Sequence, residues 1–221
     1  MFKVDTTGNE TVLHSFMGPP DGAGPSAGLI MDKAGNLYGT AGGGSYGYGT
    51  VFKLDTSGNE TMLYSFTNVP DGAYPSAGLI MDKAGNLYGT TTGGGAGNCV
   101  LLGVSGCGAV FKLDTTGNET VLYRFTNVPD GTLPYAGLIM DKAGNLYGTT
   151  EFGGDGSCDF GVGCGTVFRL DTTGNEIVLY SFMGPPDGAI PLAGLIMDKA
   201  GNLYGTTYGG VMPTGWERCS S

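Results

Sequence analysis

Four carboxylates recur in one local setting: Asp21, Asp71, Asp130 and Asp187, each between a proline and a glycine. Gathered at one mouth of a ring, they would offer oxygen ligands to a divalent cation such as Ca²⁺. The competing reading is a tight turn, because proline presets φ and Asp-Gly completes a β-turn. A second group lies in glycine-rich segments that differ from copy to copy: Tyr46, Tyr48, Glu151, Asp155, Asp159, Tyr208, Trp216 and Glu217. Aromatic rings on loops stack on sugar faces or cover a core beneath the loop, and carboxylates bond hydroxyls or metal. The cofactor readings are therefore Ca²⁺ or another divalent cation, or none.

The one histidine, His14, takes the place that Tyr64, Tyr123 and Tyr180 hold in the other copies. A packed ring explains it, so no Ser-His-Asp triad can be assembled from it in place. P-loop and H-E-x-x-H patterns do not occur in the sequence. Four of the five cysteines form close pairs, Cys99 with Cys107 and Cys158 with Cys164. Zinc sites favour tighter spacing and four ligands, so disulfides are expected, which fits an extracellular or periplasmic protein. Cys219 is left over. No signal peptide is legible, since Met1 already falls within a repeat.

The formal charge is −10, with only ten Lys and Arg, too few to track phosphates, so nucleic acid is excluded as an expected partner. No apolar run reaches the ~18 residues of a membrane span. The 44 glycines show no Gly-X-Y period and instead punctuate runs of Val, Leu, Ile, Tyr and Phe. That pattern reads as short strands joined by tight turns.

What positions these residues is a repeat. Phe-Lys/Arg-Val/Leu-Asp begins at Phe2, Phe52, Phe111 and Phe168, and the spacings of 50, 59 and 57 return for the four Pro-Asp-Gly aspartates. Inside each repeat D-x-x-G-N occurs twice, at Asp5, Asp32, Asp55, Asp82, Asp114, Asp141, Asp171 and Asp198. Asp and Asn bond nearby backbone and Gly accepts positive φ, so each copy predicts a hairpin turn. Eight hairpins make sixteen strands, labelled A to D within each blade. The alternation predicts that Val121, Tyr123 and Phe125 share one face of a D strand. Four antiparallel strands per repeat, repeated radially, predict an all-β fold, a β-propeller of four blades.

The blade pieces are 1–16 with 193–208, then 27–66, 77–125 and 136–182, all one domain over 1–221. The N-terminal hairpin is expected to complete the last blade and close the ring within a monomer. The alternative is a dimer whose two half-rings make eight blades. The D-A and B-C loops share one face and carry all the length variation, so any site is expected there. The other face carries the turns, with Lys33, Lys83, Lys142, Lys199 and Glu10, Glu60, Glu119, Glu176 as solvated residues.

The run Ala136-Gly137-Leu138-Ile139-Met140-Asp141-Lys142-Ala143-Gly144-Asn145-Leu146-Tyr147-Gly148-Thr149-Thr150 resembles the first hairpin of NHL-type propeller repeats. Gly165 to Asp171 resembles their second. Over nearly the whole chain the sequence is similar to the bacterial "GloVer" tandem repeats of secreted or surface-anchored proteins. That resemblance implies a propeller and export and carries no catalytic residues with it. The first hairpin also resembles the repeat unit of gluconolactonase-like propellers, which use a divalent metal in the central channel. The expected functions are binding of a glycan or small-molecule ligand, metal-assisted hydrolysis of a lactone or ester, or a structural repeat with no ligand.

Overall fold

The computed structural model describes residues 1–96, 99–101, 104–155, 158 and 162–209. The candidate residues Asp159, Trp216 and Glu217, and the leftover Cys219, lie outside them.

Each D-x-x-G-N segment closes a hairpin by the same set of bonds. Asp114 Oδ1 accepts the N–H groups of Thr116 and Asn118, and its Oδ2 accepts Nδ2 of Asn118 at 3.1 Å. The glycine, Gly117, has φ +89°, the left-handed region that suits a residue without Cβ. These turns join strands β1 (Phe2–Val4) and β2 (Glu10–Val12), β5 (Thr50–Leu54) and β6 (Glu60–Ser65), β11 (Ala109–Leu113) and β12 (Glu119–Arg124), and β15 (Thr166–Leu170) and β16 (Glu176–Ser181). They also join β3 (Ile30–Met31) and β4 (Leu37–Ala41), β7 (Ile80–Met81) and β8 (Leu87–Thr91), β13 (Ile139–Met140) and β14 (Leu146–Thr150), and β17 (Ile196–Met197) and β18 (Leu203–Tyr204). An extra hairpin not expected from the repeat, β9 (Val100–Leu101) with β10 (Val104–Ser105), lies within a long loop. Among the described residues no helix occurs, so none is long and apolar enough to cross a membrane.

Three antiparallel sheets are complete blades: β3-β4-β5-β6, β7-β8-β11-β12 and β13-β14-β15-β16. The hairpins β1-β2 and β17-β18 are half-blades at the two ends. The all-β blade architecture is as expected, but the closing ladder between 1–16 and 193–208 is not among the observed pairings. β1 pairs with β2 alone, and β18 with β17 alone. Both half-blades leave apolar side chains in water: Phe2 is 68% exposed and Ile196 70%.

The D strands also differ from expectation. Val110 faces Tyr123 while its neighbour Phe111 faces Val121. A bulge at Leu122 therefore puts Val121 and Tyr123 on opposite faces, because successive residues of the C strand point to opposite sides. The same shift recurs in the other two blades.

The core lies between blades. Phe52, Phe111 and Phe168 are fully buried on the C strands. Each lies across the B-strand glycine of its own blade: a Cβ built at Gly39, Gly89 or Gly148 would come 2.7 Å from the phenyl Cζ. Each also meets the D-strand phenylalanine of the preceding blade edge-to-face. The pairs are Phe16–Phe52, Phe66–Phe111 and Phe125–Phe168, with centroids 5.0, 5.0 and 5.1 Å apart. Such pairs add about 0.5–1.5 kcal/mol each beyond the area they bury.

Candidate functional site

The D-A loops are the pivots of the long-loop face. Each leaves a D strand, carries a Pro-Asp-Gly segment and enters the next blade. Its aspartate holds the loop to the strand it has just left. Asp71 accepts N–H and Oγ1–H bonds from Thr67, at 3.0 and 2.8 Å, and the Tyr64 hydroxyl at 2.7 Å. Asp187 does the same with Met183 N and the Tyr180 hydroxyl, and Asp130 with Thr126 N and Oγ1. At Asp21 the partner in the tyrosine slot is His14, whose Nε2 lies 3.1 Å from Oδ1. His14 also packs edge-on against Phe16, as Tyr64 does against Phe66. Among the described residues no three His, Cys, Asp or Glu side chains converge. The four aspartates act as one loop brace per blade, and their arrangement does not fit a Ca²⁺ centre.

Three of the four D-A loops are bonded to the B-C loops on both sides. Tyr74 N donates to Tyr48 O at 2.7 Å, and Thr92 N donates back to Tyr74 O at 3.1 Å. The next two steps repeat it through Leu133, which links Cys107 to Glu151, and Ile190, which links Cys164 to Tyr208. Tyr74, Leu133 and Ile190 all have φ near +60°, at 58°, 55° and 60°. Left-handed backbone at a β-branched residue such as Ile190 is rare. The two-sided stitching holds it there.

Disulfides Cys99–Cys107 and Cys158–Cys164 form as expected, each with Cα atoms 5.1 Å apart. They lie in the B-C loops of the second and third complete blades, where Cys107 and Cys164 supply the carbonyls that the D-A loops bond. In the first blade Tyr48 supplies that carbonyl with no disulfide behind it.

The loop candidates separate into two environments. Tyr46 is 62% exposed, and Tyr48 is half-buried with its ring edge-on to Tyr74, centroids 6.2 Å apart. Asp155 is exposed, and Tyr208 projects from the open end of the last half-blade. Glu151 is buried, its Oε2 has no hydrogen-bond partner, and burial pushes its carboxyl up from the usual range. Its neighbour Tyr135 has its phenol pushed up by burial and then by the Glu151 charge. A buried carboxyl beside a phenol can give or take a proton. Tyr74 and Tyr135 were not among the sequence candidates. The signal was there: both replace Gly or Ser in a D-A segment that otherwise repeats closely.

The fold has counterparts among solved structures. A gluconolactonase from Xanthomonas campestris superposes with a TM-score of 0.53 at 18% identity, over 95% of this chain and 62% of its own. Virginiamycin B lyase from Staphylococcus aureus, determined with quinupristin, gives 0.52 at 17% identity over 83% of this chain and 48% of its own. A streptogramin B lyase gives 0.50 at 19% identity, over 88% and 56%. The chain thus spans about half to three-fifths of these propellers. No curated protein sequence matches it. A family model matches residues 1–216, and the chain belongs to the Gloeobacter/Verrucomicrobia repeat family.

Proposed function

We propose that the long-loop face is a binding surface for a hydroxyl-rich ligand such as a glycan, presented outside the cytosol. The observation behind this reading is the set of exposed tyrosines on rigidly stitched loops: Tyr46, Tyr74 and Tyr135. Their phenol rings supply flat apolar area at low entropic cost, and the hydroxyls serve as hydrogen-bond partners. The disulfides support the location, since they persist in oxidising compartments. The test is affinity electrophoresis and calorimetry against a panel of cell-wall and capsular polysaccharides. Binding that weakens about tenfold, ~1.4 kcal/mol, in Tyr46→Ala or Tyr74→Ala supports the reading. No binding across the panel overturns it.

A second reading, hydrolysis of a lactone or ester, is favoured by one observation: buried Glu151 with a free carboxyl oxygen. The solved gluconolactonase shares the fold and lends this reading its substrate class. Glu151 would serve as the general acid or base. Turnover of a lactone panel that disappears in Glu151→Gln supports hydrolysis, and equal turnover in wild type and variant removes Glu151 from it.

A further inference from the structure

The C-D turns of the second and third complete blades press onto the blade before them. A Cβ built at Gly117 would lie 3.5 Å from Leu63 O, and one at Gly174 would lie 3.6 Å from Leu122 O. Each turn leads into a D strand whose first residue, Glu119 or Glu176, meets the Pro-Asp-Gly aspartate of the preceding D-A loop. Glu60 repeats the arrangement in the first complete blade. Asp21 acts on Glu60, Asp71 on Glu119 and Asp130 on Glu176, each adding to the effect of burial on the glutamate. In all three seams the glutamate Oε1 is buried without a hydrogen-bond partner. Two carboxylates in a partly dry seam repel one another unless a positive charge joins them.

Two of the three seams carry that charge. At Asp21–Glu60, His14 Nε2 lies 3.1 Å from Asp21 Oδ1, and its positive form also favours the Glu60 carboxylate. At Asp71–Glu119 the charge is Arg124. Its ε N–H donates to Pro70 O at 2.9 Å, next to Asp71, and its charge favours the Glu119 carboxylate. Arg124 stands where the other copies have Ser15, Ser65 and Ser181.

The third seam has neither group. Tyr123 takes the place of His14, Ser181 takes that of Arg124, and among the described residues no basic side chain acts on Glu176. The mismatch is also largest here. Asp130 is 8% exposed and its Oδ1 lacks a partner, so both carboxyls of this seam keep an unmatched oxygen. Pro129, the counterpart of Pro70, is exposed, so the seam can be approached from solvent.

The surroundings select the chemistry of a cation that would fit. Ca²⁺ takes roughly six to eight oxygens, and this seam offers two carboxyls and the Pro129 carbonyl beside them. A guanidinium carries about five N–H donors in one plane and can span two carboxylates and a carbonyl together. It is also more weakly hydrated than an ammonium, so it loses less on entering a half-buried seam. The formal charge of −10 draws basic partners to the chain.

We propose that the Asp130–Glu176 seam is a socket for an arginine side chain of a partner protein, which takes the place that Arg124 fills one blade earlier. Arg124 supplies from within the chain what the partner supplies from outside.

The test is calorimetry at pH 8, above the value of about 7 to which Glu176 is pushed, so that both carboxyls are ionised. Tyr123 is the other titratable group facing the pair, and its phenol, pushed up by burial and by both carboxylates, stays neutral there. The probe is the capped peptide acetyl-Gly-Arg-Gly-amide, with its citrulline counterpart, neutral and of similar shape, as control. One arginine peptide per chain is expected, bound about tenfold or more tightly than the citrulline peptide. Equal binding of the two, no binding, or binding of free arginine alone overturns the proposal. Glu176→Gln and Ser181→Arg should each abolish the site, the first by removing an acceptor charge and the second by supplying the cation from within. Arg124→Ser should add a second site, at Asp71–Glu119. Circular dichroism checks that each variant is folded. A single site that persists in folded Glu176→Gln or Ser181→Arg, or that stays single in folded Arg124→Ser, contradicts the proposed socket.

Discussion

Asp114 and Asp130 lie within one repeat, one in a C-D turn and the other in a D-A loop, and the protein treats them in opposite ways. Asp114 lies at the surface, partly covered, and hydrogen bonds from Thr116 and Asn118 hold its carboxyl well below the usual range. Asp130 is 8% exposed, one of its oxygens has no partner, and burial pushes its carboxyl up. The turn-face aspartate is satisfied by residues no more than four positions away. The loop-face aspartate depends on what packs over it. The face made of locally complete turns therefore repeats eight times with little change, while the other face carries loop length, disulfides and exposed aromatics. Local completeness makes a segment insensitive to its surroundings; dependence on neighbouring blades lets each loop become different.

The largest break in that comparison comes from the loop face. Replacing Cys99 and Cys107 together by serine reopens a short loop and is expected to cost about 2–3 kcal/mol by the chain-entropy model. Thermal melting should show it, and Tyr48, whose loop has no disulfide, predicts that the first blade is unaffected in hydrogen exchange. Loss of protection in the first blade would show that the two loops are not independent.

Next in size is the contrast between the two aspartates. Asp114→Ala removes four hydrogen bonds, including that of the Thr116 hydroxyl at 2.7 Å, and is expected to lower the denaturant midpoint clearly. Asp130→Asn keeps an acceptor for Thr126 and removes a charge that burial disfavours, so it should change stability by less than ~0.5 kcal/mol. Equal losses in a denaturant titration of the two variants would erase the distinction between the faces.

The pH profile sharpens it further. Asp32 is held down to about 2, first by the Asn36 amide. Its stabilising contribution is present above the ordinary Asp value of ~3.9 and is lost as pH falls toward 2. Glu119 and Glu176 are pushed up to about 7, first by burial and then by Asp71 and Asp130 respectively. Their contribution is present below the ordinary Glu value of ~4.3 and is lost as pH rises through 7. The melting temperature should therefore peak in mildly acidic solution and fall on both sides. Glu119→Gln with Glu176→Gln should flatten only the limb above pH 5; a wild-type profile that is level from pH 5 to 8 contradicts the assignment. Both glutamates were expected to be solvated turn residues, and the structure corrects this: they lie half-buried, each with one oxygen lacking a partner.

The smallest effect on stability belongs to the exposed rings. Tyr46→Ala should leave the melting temperature within a degree or so, since surface changes away from packed features stay within about ±0.5 kcal/mol. Its consequence should appear only in ligand binding.

The repeat, the hairpin turns and the blade were legible in the residues, because D-x-x-G-N completes its bonds within five positions and needs no distant partner. His14 was readable for a related reason, as a ring in a tyrosine slot whose neighbours repeat. The bulge at Leu122 was not legible, because alternation along one strand says nothing about the register of its partner. Tyr74 and Tyr135 were visible only as breaks in a repeated loop.

From the sequence alone follow the strands, their pairing within a blade and the cysteine partners, all settled by short-range spacing. Tertiary structure alone decided the rest. It set the Pro-Asp-Gly aspartates to bracing loops and buried Glu151 with an unpartnered oxygen. It left Phe2 outside the core that its counterparts fill. Each of these outcomes depends on which blade lies alongside, and identical local sequences meet different neighbours in the interior of the arc and at its ends.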